Sequence, residues 1–321
     1  VERREVARRP LVVGVDIGGT GTSAVLFDGE RAVARAQAPT PAKEGGPAMA
    51  RTAAGLVRTV VDELEGATLA GVGVGAAGVI HPVTGTVLAA SDSFRDWAGF
   101  PLARELVAEL GVPVVVENDV NAFALGEARI GAARGLADVF AMTLGTGVGG
   151  ALVLDGTLYR GPSGAAGEIG HVAGFGGLRC TCGGTGHLET LASGTSIVRS
   201  YARRSGSACD GGAGEVAERA RSGDRHAQEA FAEAGHAVGR AAVLVATLLD
   251  VADIVVGGGV TGAWDLLAPA IQAGILAEPP VSGAAVRVVP ASLADDAVAL
   301  GAACAAWDRL MAPSTVVSSP V

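Results

Sequence analysis

Lys43 is the only lysine among the 24 basic residues of this chain. It lies in TPAKEGGP (40–47), a polar Pro/Gly loop, and does not follow a glycine run. That position excludes a Walker-type phosphate loop and argues against a Schiff-base lysine, which needs burial. Cysteine is also scarce. Cys180, Cys182, Cys209 and Cys304 are too few to form a disulfide framework in 321 residues. No apolar run reaches membrane-spanning length, because the most apolar stretch, 241–260, is interrupted by Asp250 and Asp253. The opening VERREVARRP lacks the apolar segment and cleavage site of a signal peptide. A net charge of −9 weighs against general nucleic-acid binding. These absences lead to an expectation of a cytoplasmic protein with no membrane segment, no nucleic-acid partner and free thiols. Aromatics make up only 4% of the chain, so Ala, Val, Leu and Gly must build the core, which suits an α/β protein rich in tight turns.

The periodicity predicts such a chain. LVVGVDIGG (11–19) reads as a buried strand running into a glycine turn. TSAVLFDGERAVARAQ (22–37) reads as two strands joined at Asp28-Gly29. A helical pattern over 47–65, a strand over 69–80, a helix over 100–111 stopped by Gly111, a strand over 112–119 and a helix over 120–131 follow. The opening then recurs: residues 138–161 again give strand, glycine turn, strand, Asp-Gly turn, strand. Two such units point to two related lobes. Helices over 188–204, 214–234 and 235–249, a strand over 252–260, a helix over 264–276, a strand over 284–292 and a last helix over 294–310 complete the reading. The tail 311–321 is expected to be disordered.

Three strands end in glycine turns: DIGGTGTS, LGTGVGG and VVGGGV. Glycine lets backbone N–H groups approach an anion without a Cβ intervening. Thr20 and Thr146 add hydroxyls, and Asp16 closes a buried strand where a carboxylate can hold Mg²⁺ beside a triphosphate. A strand, not a helix, follows each of the first two turns, which argues against a dinucleotide-binding hydride enzyme. VVVENDVNAF places Glu117, Asn118 and Asp119 at the C-terminal end of a hydrophobic strand, where ligands of open α/β sheets gather. Asp119 is open to two readings here: the N-cap of the next helix, or a general base for a sugar hydroxyl. Cys180 and Cys182 in RCTCGGTGHLE (179–189) resemble half of a zinc site.

DIGGT (16–20), ENDVNAFALGE (117–127), LGTGVGGALVLDGTLYRG (144–161), GEIGH (167–171) and CTCGGTGHLE (180–189) together resemble the ROK family of ATP-dependent sugar kinases and sugar-responsive repressors. The resemblance runs from about residue 11 to 310. It implies an actin-like ATPase fold, two RNase H-like lobes around a central cleft. Residues 1–119 would form the N-terminal lobe, with helix 294–310 packing back on it, and 120–293 the C-terminal lobe. The resemblance makes Asp119 the catalytic base and places Gly78, Asn118, Glu168, His171 and Glu189 at the sugar. Asp16, Gly18, Gly19, Thr20, Thr146 and Gly147 would serve the phosphates and Mg²⁺, with Gly258 and Gly259 near the nucleotide. A structural zinc would be held by His171, Cys180 and Cys182, with His187 where the family has a third cysteine. Imidazole is a sound zinc ligand, but its longer reach requires the loop to shift. Such a zinc would fix Glu168 and Glu189 against each other.

ATP, Mg²⁺ and structural Zn²⁺ are therefore the expected cofactors, a sugar and ATP the expected partners, and a homodimer or homotetramer the expected assembly. The resemblance implies transfer to a hexose, with the 6-OH of glucose as the first expectation. The loop before Trp97, Gly99, Pro101 and Leu102 carries Ser91, Asp92 and Ser93 where family glucokinases have asparagine. Asp92 raises an alternative, an ammonium partner in an amino sugar such as glucosamine or kanosamine, and N-acetylmannosamine belongs to the same group of alternatives. A non-catalytic sugar-sensing regulator is the rival from another class. Only about ten residues precede the first strand, too few for the repressors' helix-turn-helix. Polyphosphate in place of ATP is a third reading. The acidic net charge weighs against it unless a local basic patch overrides that charge.

Overall fold

The structure, a computed structural model, describes residues 10–64, 66, 68–91 and 93–311. Asp92 and the tail beyond residue 311 lie outside the described residues. The chain forms two compact units. Unit 1 runs to Gly126 and resumes at Asp295, and unit 2 is Glu127–Ala294.

Unit 1 is a five-stranded sheet with helices. β1 (Pro10–Ile17), β2 (Gly21–Phe27) and β3 (Ala32–Pro39) form an antiparallel meander. After α1 (Gly46–Asp62) comes β4 (Thr68–Ala76), parallel to β1. A two-stranded flap, β5 (Val79–Ile80) with β6 (Val87–Ala89), and α2 (Leu102–Leu110) precede β7 (Val114–Asn118), parallel to β4. The sheet order is β3-β2-β1-β4-β7. α2 ends at Gly111 with φ +70°, the left-handed stop expected from its glycine. Asp28 Oδ1 accepts from Glu30 N and Arg31 N, which closes the first hairpin as an Asx turn.

α3 (Asp119–Arg129) follows β7 directly. Far along the chain, α9 (Ala297–Met311) packs on β1 and β4, and glycine makes that contact possible. A Cβ on Gly14 would lie 1.8 Å from Ala299 O, and one on Gly73 1.8 Å from Ala302 O. α9 also touches α3: a Cβ on Gly301 would lie 1.7 Å from Ala122 O. This backbone contact keeps α3 with unit 1 as far as Gly126, past the division expected after Asp119.

Unit 2 repeats the sheet plan. β8 (Val139–Leu144), β9 (Val148–Leu154) and β10 (Thr157–Tyr159) form a meander, and β11 (Asp253–Gly257) and β12 (Arg287–Pro290) add in parallel. The order β10-β9-β8-β11-β12 matches that of unit 1 strand for strand. Its helices are α4 (Glu189–Ala192), α5 (Gly194–Ser205), α6 (Gly212–Arg221), α7 (Arg225–Leu249) and α8 (Trp264–Ala277). The helix expected over 188–204 is broken at Ser193, an extended residue whose hydroxyl caps α5 by accepting from Ser196 N. The break expected between residues 234 and 235 falls earlier, at Asp224. Its carboxylate accepts from His226 N and Ala227 N and so starts α7.

Among the described residues, Arg225–Leu249 and Gly259–Ala277 are long and apolar enough to cross a membrane. Both are core elements of unit 2. Gly235, Gly239 and Gly274 let them approach so closely that a Cβ on Gly239 would lie 2.3 Å from Ile271 O.

Candidate active site and metal centre

In unit 1 the ends of β1 and β7 carry the acidic residues. Asp16 is the last but one residue of β1, and the turn after it is closed by Gly18 N donating to Gly21 O at 3.0 Å. Gly19 and Thr20 are exposed at its tip. Burial pushes the Asp16 carboxyl up to about 7, and the Asp119 carboxylate adds to the rise. The Asp16 carboxyl and the Asp119 carboxylate that acts on it form a hard-oxygen donor set suited to a divalent cation such as Mg²⁺.

Asp119 opens α3, but Asn118 caps it. Asn118 Oδ1 accepts from Val120 N at 2.9 Å and from Asn121 N at 3.1 Å. The Asn118 Nδ2 group donates to Gly78 O at 3.0 Å and to Asp119 Oδ1 at 2.8 Å. Asp119 Oδ1 also accepts from Val120 N at 3.0 Å. Of the two sequence-level readings of Asp119, capping therefore passes to its neighbour, and the Asp119 carboxylate is held in a fixed plane. All the hydrogen-bonding capacity of the Asn118 amide is used in these contacts. Direct contact with a sugar would exchange one of its donated bonds for a sugar oxygen. Gly78 supplies a carbonyl here. Its φ of +113° and the 2.4 Å gap between an added Cβ and Ala89 O leave no room for a side chain. Trp97 is buried between Phe94 and Phe100 and donates Nε1–H to Ala77 O, which anchors the loop next to Gly78.

In unit 2 the residues converge on Glu189. Its Oε2 accepts from Val148 N at 3.1 Å, and its Oε1 accepts from Thr181 Oγ1 at 3.2 Å. Gly147 makes room for it, since a Cβ there would lie 2.5 Å from Glu189 Oε2. The second glycine turn therefore has to be bare for its carboxylate neighbour, whether or not phosphate binds there. Thr146 is exposed, and its carbonyl accepts from Thr195 Oγ1. Gly258 has φ +88° and lies so close to Leu144 O that a Cβ would approach to 2.5 Å, so it packs the end of β11 on the end of β8. Gly259, exposed, opens the 3-10 turn Gly259–Ala263.

His171, Cys180, Cys182 and His187 place their ligand atoms within 4.8 Å of one another. His171 Nδ1 is 3.8 Å from Cys180 Sγ, and His187 Nδ1 is 3.3 Å from Cys182 Sγ. Ligands of a tetrahedral zinc are separated by roughly 3.3–3.8 Å, so the donor set and its spacing fit Zn²⁺. The loop admits the bulkier imidazole at Gly184, where a Cβ would lie 2.3 Å from His187 Cε1. Glu168, exposed, has its Oε2 4.0 Å from His171 Nε2. Cys180 Sγ is 3.5 Å from Glu189 Oε1. The candidate metal ligands are thus linked by contact to both glutamates.

Comparison with known proteins decides the family. The model of the ROK family matches residues 12–309. The chain belongs to the ROK family. Its fold is the actin-like ATPase fold, with one mixed sheet in each of two lobes. The glucokinase of Streptomyces coelicolor is 34% identical over 284 residues, covering 82% of this chain and 86% of that one. The N-acetylmannosamine kinase of Shigella boydii is 33% identical, covering 77% of this chain and 82% of that one. The crystal structure of a ROK family glucokinase from Streptomyces griseus, in complex with glucose and AMPPNP, has a TM-score of 0.77 and 34% identity. It covers 92% of this chain and 98% of that one.

Sequence reasoning missed two contributors within this ROK chain. Gly184 reads as one more loop glycine, and only the ring of His187 gives it a reason. Glu127, the last residue of the ENDVNAFALGE motif, is fully buried, and its carboxylate accepts from Ala132 N, Ser292 N and Leu293 N. The motif match marks Glu127, but its partners Ser292 and Leu293 lie 165 and 166 residues away and cannot be read from the sequence.

Proposed function

We propose that this ROK protein transfers the γ-phosphoryl group of ATP to a hexose hydroxyl, and that the 6-OH of glucose is its target. The observation that carries the mechanism is the Asp119 carboxylate, oriented by Asn118 Nδ2 and Val120 N at the C-terminal end of β7. A sugar hydroxyl must lose its proton as it attacks phosphorus, and a fixed carboxylate can take it. Asp119 is the base in this reading. Asp16 and the turn Gly18–Thr20 serve the phosphates, and Asp16 would hold Mg²⁺, which neutralises charge on the transferring group when bound. Thr146, Gly147, Gly258 and Gly259 provide further backbone N–H groups on the nucleotide side. Gly78, Asn118, Glu168, His171 and Glu189 are the sugar-side residues. His171, Cys180, Cys182 and His187 would hold zinc, and with four protein ligands such an ion is structural. A cytoplasmic setting, where ATP and reduced thiols coexist, suits this chemistry, and a homodimer or homotetramer is the proposed assembly.

The likeness to the N-acetylmannosamine kinase of Shigella boydii supports a second reading, an amino sugar such as N-acetylmannosamine, glucosamine or kanosamine as acceptor. Asp92 lies outside the described residues, so its pairing with an ammonium rests on the sequence alone.

A sugar panel with ATP and Mg²⁺, read by ADP release and by the phosphorylated position, tests the function. Sugar-dependent ADP release with product at the 6-position is expected, with kcat/KM ranking glucose against the amino sugars. Asp119→Ala and Asp119→Asn should lose about 10²–10⁴-fold in kcat while sugar binding largely survives. Near-normal turnover in either variant would remove Asp119 as the base. Sugar binding without ADP release in the wild type would favour the sensing regulator.

A further inference from the structure

Phe94 touches both the acceptor side and the phosphate side of unit 1. Its ring stacks on Trp97, with centroids 6.2 Å apart and planes 23° from parallel. Trp97 stacks in turn on Phe100, at 5.6 Å and 19°. Buried Trp97 donates to Ala77 O, which fixes the stack beside Gly78, and the Gly78 carbonyl accepts from the Asn118 amide. At the far end, Phe100 lies against the start of α1, where a Cβ on Gly46 would come 2.5 Å from its ring. Rings packed in this way have little freedom to tilt.

At the near end, Phe94 reaches the phosphate turn. A Cβ built on Gly19 would lie 3.6 Å from Phe94 Cζ, an ordinary van der Waals contact. Among the described residues, and apart from the adjoining Gly18 and Thr20, no other atom comes within 4 Å of that point. The exposed tip of the turn therefore rests on this half-buried ring. A glycine tip has no side chain to anchor it, so its position depends on the surface beneath it. A second route joins the same parts. Thr20 O accepts from Thr40 N at 3.1 Å, and Ala42 O accepts from Arg95 N at 2.9 Å. Phe94 N also donates to Ser91 O at 3.1 Å, closing the turn that carries Ser91 and Ser93. Those serines belong to the loop in which this chain differs from family glucokinases. A shift of that loop on meeting a sugar would carry Phe94, and with it the support of Gly19.

We propose that Phe94 is a positioning residue that couples the acceptor sugar to the phosphate turn, so that sugar and nucleotide strengthen each other's binding through this ring. The proposal rests on the kinase reading. The coupling is reciprocal: the factor by which glucose tightens nucleotide binding equals the factor by which nucleotide tightens glucose binding. A turn that grips the phosphates fully only when the sugar is in place favours transfer to sugar over transfer to water.

The test is calorimetric titration of AMPPNP with Mg²⁺, with and without saturating glucose, on wild type, Phe94→Leu and Phe94→Ala. Leucine fills the space against Trp97 but falls short of Gly19, so it removes the contact without emptying the core, and thermal melts check the fold. Wild type should bind AMPPNP at least about fivefold tighter with glucose present, the lower end of typical coupling between sites. In Phe94→Leu that gain should fall to within about twofold, while glucose affinity without nucleotide stays within about twofold of wild type. A packing role alone would weaken binding without changing the ratio. Titrating glucose with and without AMPPNP should return the same factor for each protein. Phe94→Ala should lose the coupling and lower the Tm as well. A wild type whose AMPPNP affinity ignores glucose overturns the proposal. So does a folded Phe94→Leu protein that keeps the wild-type gain. A wild type that binds neither ligand removes the kinase reading beneath it, a separate result.

Discussion

The Asn118 amide donates to Oδ1 of Asp119 at 2.8 Å while its own oxygen caps α3, so one side chain both starts the helix and orients the proposed base. The two duties can be separated. Asn118→Asp keeps a capping oxygen and replaces the donor with a second carboxylate against Asp119. Aspartate caps about as well as asparagine, so the start of α3 should be kept, while the bond donated to Gly78 O is lost. A like charge raises the pKa of a neighbouring carboxyl. The rising limb of kcat against pH should therefore move to higher pH, with kcat falling about 10²-fold near neutrality. Asn118→Ala should lose the orientation as well as about 1 kcal/mol of helix capping. An unmoved limb in Asn118→Asp would mean that Asn118 does not orient the base.

Asp16 has a stability signature with a definite sign. Its folded carboxyl titrates near 7, against 3.8 for the free group. Between those values the native state keeps a proton that the unfolded chain has released, so stability falls as pH rises from about 4 to 7 and is level above. Asp16→Asn removes this cost. The variant should gain on the order of 2–3 kcal/mol more at pH 8 than at pH 5. Mg²⁺ should stabilise the wild type at pH 8 and have less effect on the variant. Thermal melts at the two pH values check this, and equal gains at both would show that the carboxyl ionises normally in the fold.

The legible parts of this protein are those in which local sequence and tertiary role coincide. The glycine turns after β1 and β8, the Asp-Gly hairpins and the Cys180/Cys182 pair are read within a few residues, and they lie where the pattern places them. The matching order of the two sheets follows from the recurrence seen between residues 11–37 and 138–161. Caps were harder to place. Asp224 and Ser193 break helices in polar, glycine-containing stretches whose apolar periodicity continues on both sides. Partners distant in sequence could not be read at all: Gly14 under Ala299, and Gly73 under Ala302. A glycine needed for close approach looks the same in sequence as a glycine needed for a turn.

The proposed zinc binding would turn on Gly184 as much as on the four candidate ligands. Purified protein should carry about one zinc per chain. His187→Ala should lower the zinc content sharply, and His187→Cys should keep it, since a thiolate fits the same ligand set. Gly184→Ala would put a Cβ 2.3 Å from His187 Cε1, and the ring must then swing away. A displacement of that kind should cost about 10–100-fold in metal affinity, the range seen when residues supporting a metal site are lost. Metal analysis after chelator challenge reads each case. A wild type without zinc would end the assignment. A Gly184→Ala protein that holds zinc like the wild type would show that the loop adapts.

Glu127 ties together two distant segments of chain, and its removal should be among the costliest single changes outside the site. The side chain is fully buried, and its two oxygens accept from Ala132 N at 2.7 Å, Leu293 N at 2.9 Å, Ser292 N at 3.1 Å and Ser292 Oγ at 3.3 Å. Glu127 and Leu293 adjoin the two places where the chain passes between its compact units. Glu127→Ala would take the acceptor from three backbone N–H groups, those of Ala132, Ser292 and Leu293, and open a cavity besides. At about 1–3 kcal/mol for each stranded donor that water cannot reach, a loss of roughly 3–5 kcal/mol is expected. Glu127→Gln retains the volume and one acceptor oxygen, but its NH₂ faces groups that also donate, so about half that loss is expected. Urea denaturation of the three proteins gives the order. A Glu127→Ala variant within about 1 kcal/mol of wild type would mean that solvent already reaches these donors and that the carboxylate does not hold the two segments together.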